Sequence, residues 1–524
     1  MNYYELSAFI LYFIVMIAIG VYFFIKSKDA SEKSYFLGGR NMNGFVAAIS
    51  AGASDMSAWC LMGLPGAIYL FGIGQVWISI GLFIGTVCAW IFVAPKLRRY
   101  VIKANDSITI PQFLTNRFME QGKMLKIVSA IIFVIAYCIY AASSVSACAD
   151  LFQSVFNVKD DARIIVMAIV TLIIIAYTML GGFNAVCFTD LIQGLLMLAA
   201  LMTVPIVALI ILKSGETAAS FTAWLETPQG FWSLLSDGAD KWSSYANIIT
   251  GLGWGLGYFG MPHIIVRYMS IKSEKEMRVS QISGIIWTGL ILTMATMVAL
   301  VAHEYLGSAV ANNKSMVFIN MVKDIFSNGG WAIIGGVLLS AIVAASMSSA
   351  DSQLLASSSA FVSDFYKSAI KENPSEKEVK WLSRLAVIFI ALVAFAIAAF
   401  GLDDIMTLVS AAWSIFGAAF GPAILLSLYW KRFNYKGCVW GIIVGFVVSI
   451  IWLICFNFEY YIGASLIYNT GVYEIVPGFI AGIITAVAVS LSTKAPSKEV
   501  TDLFDEVSSF KYDGKTEFEE VTNA

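Results

Sequence analysis

Asp55 stands in the middle of an apolar stretch, SAGASDMSAWCLMGLPG from Ser50 to Gly66, with hydroxyls and small residues around it and Pro65 behind it. A charge at the centre of a bilayer costs roughly 2.5–3.5 kcal/mol even on a lenient insertion scale. No Lys or Arg lies in the same segment to offset that cost. A cation from solution, or donors from backbone freed by a break, would supply the partner. A second oxygen-rich stretch, SAIVAASMSSADSQLLASSSAF, starts at Ser340. Within it Ala345, Ser348, Ser349 and Ser352 follow i, i+3, i+4, i+7 and share a helix face, with Asp351 one position off it. A small hard cation takes several oxygen ligands, and carbonyls unwound from the first stretch plus hydroxyls from the second would form such a shell. The bland alternative is that hydroxyl-rich helices only pack closely. His263 and His303 are not paired with cysteines, so a transition-metal site is not expected. No nucleophile, base and metal group together as an enzyme would need; Asp150 and Glu304 read as interface residues.

These residues need elements to hold them, and the composition says which kind. The 524 residues are 59% hydrophobic and 13% charged, too apolar for a soluble chain of this length. Thirteen apolar runs recur, at about 5–25, 43–71, 73–97, 124–155, 162–181, 184–213, 243–266, 279–304, 330–360, 381–402, 404–430, 437–456 and 473–492, each long enough to span a bilayer. The expectation is an all-α integral membrane protein of about 13 transmembrane helices. Placing the N-terminus outside and the C-terminus in the cytoplasm puts 27 Lys and Arg on the inside and 6 on the outside, which favours that orientation in the cell membrane. The first run is not expected to be a cleaved signal, because MNYYE lacks a positive region and no small-residue cleavage site follows. The seven cysteines lie in or beside spanning runs, so a disulfide framework is not expected. Neither QGKM nor DGKT has P-loop spacing. The acidic stretch after Ser492 reads as a solvated tail, too short for a signalling domain.

Two runs look interrupted. The second carries AGASDMSAW and GLPG; the seventh carries GLGWGLGYFGMPH, Gly251 to His263. Glycine costs about 1 kcal/mol in a helix interior and proline about 3. Broken backbone at membrane depth persists only against protein or a cavity. The second run enters from the inside and the seventh from the outside, five runs apart, as inverted repeats would place them. Discontinuous helices in matching positions of two repeats mark a transporter binding site. The chain therefore divides into an extra helix and inner loop (1–42), a first repeat (43–213), an outer loop (214–242), a second repeat (243–430), two further helices (431–492) and the acidic tail (493–524).

Five ordered motifs carry a resemblance: YFLGGR (35–40), SAGASDMSAW (50–59), GGFNAVCFTDLIQ (181–193), GWGLGYFGMPHIIVRYM (253–269) and MSSADSQLL (347–355). With them the chain resembles the solute:sodium symporter family over about residues 1–490, and the sodium/proline symporters closely within it. The resemblance implies a leucine-transporter-like core of two inverted five-helix repeats, Na⁺ as coupling ion and L-proline as substrate, with no enzyme activity. It implies a sodium site of backbone oxygens at Ala53, Met56 and Ala345 and hydroxyls at Ser348 and Ser349, where proline-transporting relatives often carry Thr at the second hydroxyl. Asp55 matches a carboxylate needed for sodium binding. Ser57, Tyr140, Trp254 and Tyr258 match the proline pocket. Asp190 matches an acidic position linked to sodium, which with Asp351 and Ser352 marks a second cation or coupling position. Arg40 matches an inner-side arginine of gating or ion release. The residues alone agree with such a pocket: aromatic walls suit a compact apolar ring, and half-helix N-termini suit a carboxylate. Taken without the motifs, Tyr140, Trp254 and Tyr258 read as readily as packing. The partners expected are L-proline, Na⁺ and the lipid bilayer, with neither nucleic acid nor an obligate protein partner. The rival readings are a family member for another solute (pantothenate, a sugar, another amino acid) and a non-transporting membrane sensor.

Overall fold

The computed structural model describes residues 3–26, 31–120, 122–156, 158–159, 162–235, 241–327, 331–400, 405–457 and 470–518. Among these, regular structure is helical, and the one β-bridge pairs Met42 with Ile271. The principal helices are α1 Tyr3–Lys26, α2 Gly44–Asp55, α3 Trp59–Phe71, α4 Ile73–Lys103, α5 Met124–Phe156, α6 Arg163–Lys213, α7 Lys241–Gly253, α8 Pro262–Ser270, α9 Glu274–Leu306, α10 Ala332–Ser359, α11 Glu376–Ala399, α12 Ile405–Tyr429, α13 Tyr435–Trp452, α14 Ile475–Ser492 and α15 Lys498–Ser509. Among the described residues ten helices are long and apolar enough to cross a membrane, or eleven when the bent pair α2–α3 is one span. The other two of the thirteen expected runs are shorter. Arg163–Ala176, the first part of α6, is one; the broken α7–α8 stretch is the other.

Each break has a local cause. Helix α2 ends at Asp55, because Met56 turns to φ −75°, ψ 69°, and the chain re-enters helix in α3 at 61° to α2. Pro65 falls in the first turn of Leu64–Phe71, where its missing N–H is not needed. In the seventh run α7 gives way to a 3₁₀ stretch, Trp254–Phe259; Met261 is extended, and Pro262 starts α8. The glycines there serve contact as much as bending. A Cβ on Gly255 would lie 2.3 Å from the carbonyl oxygen of Gly81, and one on Gly257 would lie 2.0 Å from the Trp413 indole nitrogen. Within α6 the backbone breaks at Gly182, φ 61°, a region that glycine reaches without a Cβ clash.

Helix α10 is the centre of the bundle. It packs on α1, α5, α6 and α11, and nearly every residue from Leu338 to Ser359 is buried. Its small side chains let the neighbours approach closely, as membrane helix interfaces require. The break after α2 and the 3₁₀ stretch both lie in this interior: Met56, Trp59, Trp254 and Tyr258 are buried. The tail departs from the expectation of a solvated end. Helix α15 buries Val500, Leu503, Phe504 and Val507, and Phe518 beyond it is buried too. Residues 519–524 of that tail lie outside the described residues.

Candidate functional site

The break after α2 is held against α10 by a hydroxyl. The Ser348 hydroxyl donates to the carbonyl oxygen of Ala53 at 2.8 Å, with the carbonyl oxygen of Ala345 at 3.1 Å. Ala53, Met56, Ala345, Ser348 and Ser349 are all fully buried. The Ser349 hydroxyl has no hydrogen-bond partner among the described residues. Asp55 is buried as well; its Oδ2 accepts from the Tyr258 hydroxyl, while its Oδ1 is unpartnered among the described residues. Leaving a buried carboxylate oxygen and a buried hydroxyl unsatisfied is costly in a fold, and common where a ligand completes the set. The oxygens of the two sequence stretches thus meet, and they include groups that no described residue satisfies.

The expected pocket residues gather beside them. The Tyr140 hydroxyl approaches the carbonyl oxygen of Asp55 at 3.4 Å, and Ser57 is buried two residues on. Because Trp254–Phe259 is 3₁₀ and not α-helical, Trp254 and Tyr258 do not share one α-helical face. They are linked instead through Trp413 of α12. Tyr258 meets its ring edge-on at 5.3 Å, Trp254 lies 6.3 Å from it, and the Trp413 indole N–H donates to the Trp254 carbonyl at 2.8 Å. Tyr473 stacks on Trp254 at 4.9 Å, and Trp59 lies 6.3 Å from it. Trp413, Tyr473 and Trp59 were not singled out from the sequence. Nothing in the sequence pairs Trp413 with the seventh run; the fold does, by setting Gly257 where any side chain would be driven into the Trp413 indole.

Asp190 has a resident cation. Its Oδ2 accepts from Arg267 at 3.1 Å and from the Ser50 hydroxyl at 2.6 Å. Arg267 also donates to the Ser352 hydroxyl at 2.5 Å and to the His263 carbonyl at 2.6 Å, and it is fully buried. Arg267 follows the seventh apolar run, 243–266, directly and on that ground reads as one of the 27 inside charges; it lies instead in the last turn of α8, inside the bundle. Asp351 is buried beside this network and accepts from the Ser352 hydroxyl at 3.3 Å. Arg40 lies apart from all of these, beside the loop that follows α4. It donates to Asp106 at 2.7 Å, to the Met269 carbonyl at 2.8 Å and to the Ser107 carbonyl at 2.6 Å, tying the start of α2 to the end of α8.

A family model described as the sodium:solute symporter family matches residues 35–445. The chain belongs to the sodium:solute symporter family. Within it, the chain is 41% identical over 498 residues to an osmoregulated proline transporter of Bacillus subtilis, covering 94% of this chain and 96% of that one. It is 40% identical to a high-affinity proline transporter of the same organism, covering 94% and 98%. It is 39% identical to a sodium/proline symporter of Haemophilus influenzae, covering 96% and 97%. Two solved structures share the fold. A Na⁺-coupled sialic acid symporter in a substrate-bound outward-open state superposes with TM-score 0.71 at 19% identity, covering 94% of this chain and 99% of that one. The crystal structure of MhsT in complex with L-phenylalanine superposes with TM-score 0.54 at 15% identity, covering 86% and 98%. The leucine-transporter-like fold class expected from the motifs therefore holds for this symporter.

Proposed function

We propose that this symporter couples Na⁺ entry to L-proline uptake by alternating access, with Ala53, Met56, Ala345, Ser348 and Ser349 around the ion and Asp55 lowering its energy. The observation that carries the reading is the meeting of the α2 break with α10. The Ser348 hydroxyl on the Ala53 carbonyl sets the oxygens together, and the unpartnered Ser349 hydroxyl and Asp55 Oδ1 are left for a cation. The names of relatives at about 40% identity across nearly the whole chain point to proline as solute. The aromatic cluster of Trp254, Tyr258 and Tyr140, joined by Trp413 and Tyr473, suits a compact apolar ring.

The division into inverted repeats 43–213 and 243–430 supplies the two half-bundles that rock about this site. The orientation, N-terminus outside and C-terminus in the cytoplasm, rests on the asymmetry of Lys and Arg. On that orientation Arg40 and its three partners lie at the inner end, where they hold α8 to the loop after α4 until release. Asp190, Asp351 and Ser352 then form a coupling network built around Arg267. One charge crossing about 100 mV is worth about 2.3 kcal/mol, and a roughly tenfold ion gradient adds about 1.4. Together they drive a neutral zwitterion uphill several hundred-fold, so one ion per solute suffices. The test is proline uptake into proteoliposomes: it should follow an inward Na⁺ gradient and collapse when K⁺ replaces Na⁺. Equal uptake in both at matched voltage would remove the coupling. Another amino acid outcompeting proline would reassign the solute.

A further inference from the structure

A small cavity of about 30 Å³ lies further along α10 than the ion oxygens, lined by that helix from Ser352 to Ser359. Two polar pairs line it, Arg267 with Ser352 and Thr109 with Asp364, along with Ser359 and a mainly apolar wall that includes Phe36 and Phe183. On α10, Ser352 and Ser359 are seven residues apart and share a face, which continues the row begun by Ser348 and Ser349. After Ser359 the helix takes a π-turn, Ala360–Tyr366, which carries Asp364 to the cavity.

Asp364 is fully buried. Its Oδ1 accepts from the Thr109 hydroxyl at 2.9 Å, and its Oδ2 has no hydrogen-bond partner among the described residues. Two cations are near enough to act on it, Lys126 and Lys367; neither is hydrogen-bonded to Oδ2, and Lys367 is committed to Glu32, which also takes the Ser363 hydroxyl. Arg267, across the cavity, is committed to Asp190. A buried carboxylate with one satisfied oxygen is costly until a proton or a cation completes it, and Asp364 has beside it a cavity that an ion with water could enter. The volume matters here. A cavity holds a water for each 10–15 Å³ or so measured this way, so there is room for about two waters and not for a proline.

We propose that Asp364, with the hydroxyls of Thr109 and Ser359, is a way-station for Na⁺ on its release path, taking the ion with one or two waters after it leaves Ser348 and Ser349. The inference rests on the Na⁺-coupled reading above and on its orientation.

The experiment uses the full chain in proteoliposomes, with three readouts: net Na⁺-driven proline uptake, proline exchange with saturating Na⁺ on both sides, and the Na⁺ dependence of proline binding. Exchange requires proline to leave but not Na⁺. Asp364→Asn should lower net uptake about tenfold while leaving exchange and the binding curve unchanged, and Asp364→Glu should restore most of the net rate. Net uptake at the wild-type rate in Asp364→Asn would overturn the proposal. So would a parallel loss of uptake, exchange and binding in both variants, which would make Asp364 a residue that holds the fold. Wild-type binding of proline without Na⁺ would instead overturn the reading on which the proposal rests.

Discussion

At the scale of single residues, Ser348 and Ser349 are adjacent hydroxyls with different duties. Ser348 is satisfied by two carbonyls, whereas Ser349 has no partner among the described residues. Replacing Ser348 by Ala should therefore cost the Na⁺-free protein about 1 kcal/mol of stability as well as ion affinity. Replacing Ser349 by Ala should cost ion affinity alone, and Thr at 349 should be mild because the oxygen stays. Thermal unfolding without Na⁺, set beside the Na⁺ concentration for half-maximal proline binding, separates the two; equal unfolding losses at both positions would contradict the assignment. Asp55 makes a sharper case. Asn at 55 keeps an acceptor for the Tyr258 hydroxyl but removes the charge. It should raise the Na⁺ needed for half-maximal binding at least tenfold, with proline affinity falling as a linked consequence. Glu should keep partial function. Coincident curves for wild type and Asp55→Asn would leave the carboxylate a capping role only. The Arg40 clamp behaves differently toward pH. Burial pulls the Asp106 carboxyl upward, but the hydrogen bond from Lys33 and the charge and hydrogen bond of Arg40 outweigh it and hold the group below the ordinary carboxylate range. A lowered folded value means that the clamp's contribution is present above the ordinary carboxylate value and lost only as pH falls through the lowered one. Transport that depends on this clamp should be flat from pH 8 to about 6. Asp106→Asn should shift the rate by the same factor across that window; a factor that changes within it would place another titrating group at the gate.

At the scale of elements, the two broken segments were legible because glycine and proline mark a break wherever they stand, and their spacing of five runs was readable from hydropathy alone. The oxygen cluster was legible because i, i+3, i+4 periodicity brings Ala345, Ser348 and Ser349 to one face. What the breaks become was not legible. The 3₁₀ geometry of Trp254–Phe259 moves Tyr258 off the face an α-helix would give it and joins it to Trp413, which lies 155 positions further along the chain. Arg267 was misplaced for a related reason. A basic residue after an apolar run reads as the edge of a membrane, and only the tertiary fold supplies Asp190, Ser50 and Ser352 to bury it. The glycines of the seventh run give this scale its test. Gly257→Ala keeps helical propensity or improves it, yet it would press a methyl into the Trp413 indole. Overpacking of this kind costs about 1–3 kcal/mol. Proline binding should weaken in Gly257→Ala more than Na⁺ binding does, because the displaced groups are the aromatic wall and not the Ser348 set. A pairing with Trp413→Phe, which removes the indole edge, should recover part of the loss. Unchanged proline affinity in the single variant would show that the 3₁₀ stretch yields without disturbing the site.

At the scale of the whole molecule, the C-terminal stretch belongs to the folded body, and the forces that seat it can be ranked. Its acidic composition suggested a solvated end, because twelve helical residues are too few for the apolar face of α15 to stand out among charges. Among the described residues ion pairs reach it from Lys431 to Asp505 at 2.5 Å and from Lys103 to Glu506 at 2.8 Å, with the four side chains 25% to 56% exposed. Such pairs contribute about 0–1 kcal/mol each and weaken with salt. The apolar seat is larger. Val507 and Phe518 are 1% exposed, Phe510 meets Phe518, and the Arg99 guanidinium lies over the Phe510 ring at 4.8 Å. Glu517 adds a charge-assisted contact, accepting from the amide of Glu274 at 2.7 Å in the first turn of α9. Fully burying one side chain of this size is worth about 1.5–3 kcal/mol, more than both ion pairs together. The tail should therefore stay docked when KCl is raised to about 0.5 M, where the Debye length falls to a few ångströms, and when Asp505 is replaced by Ala. It should come away when Val507 is replaced by Asp, which puts a charge into the buried apolar seat. Limited proteolysis after Ser492 reads the difference: cleavage should be slow in wild type at low and high salt and in Asp505→Ala, and fast in Val507→Asp. Rapid cleavage of wild type at high salt alone would mean that the ion pairs, and not the apolar face, hold the tail against the loops of α4 and α9.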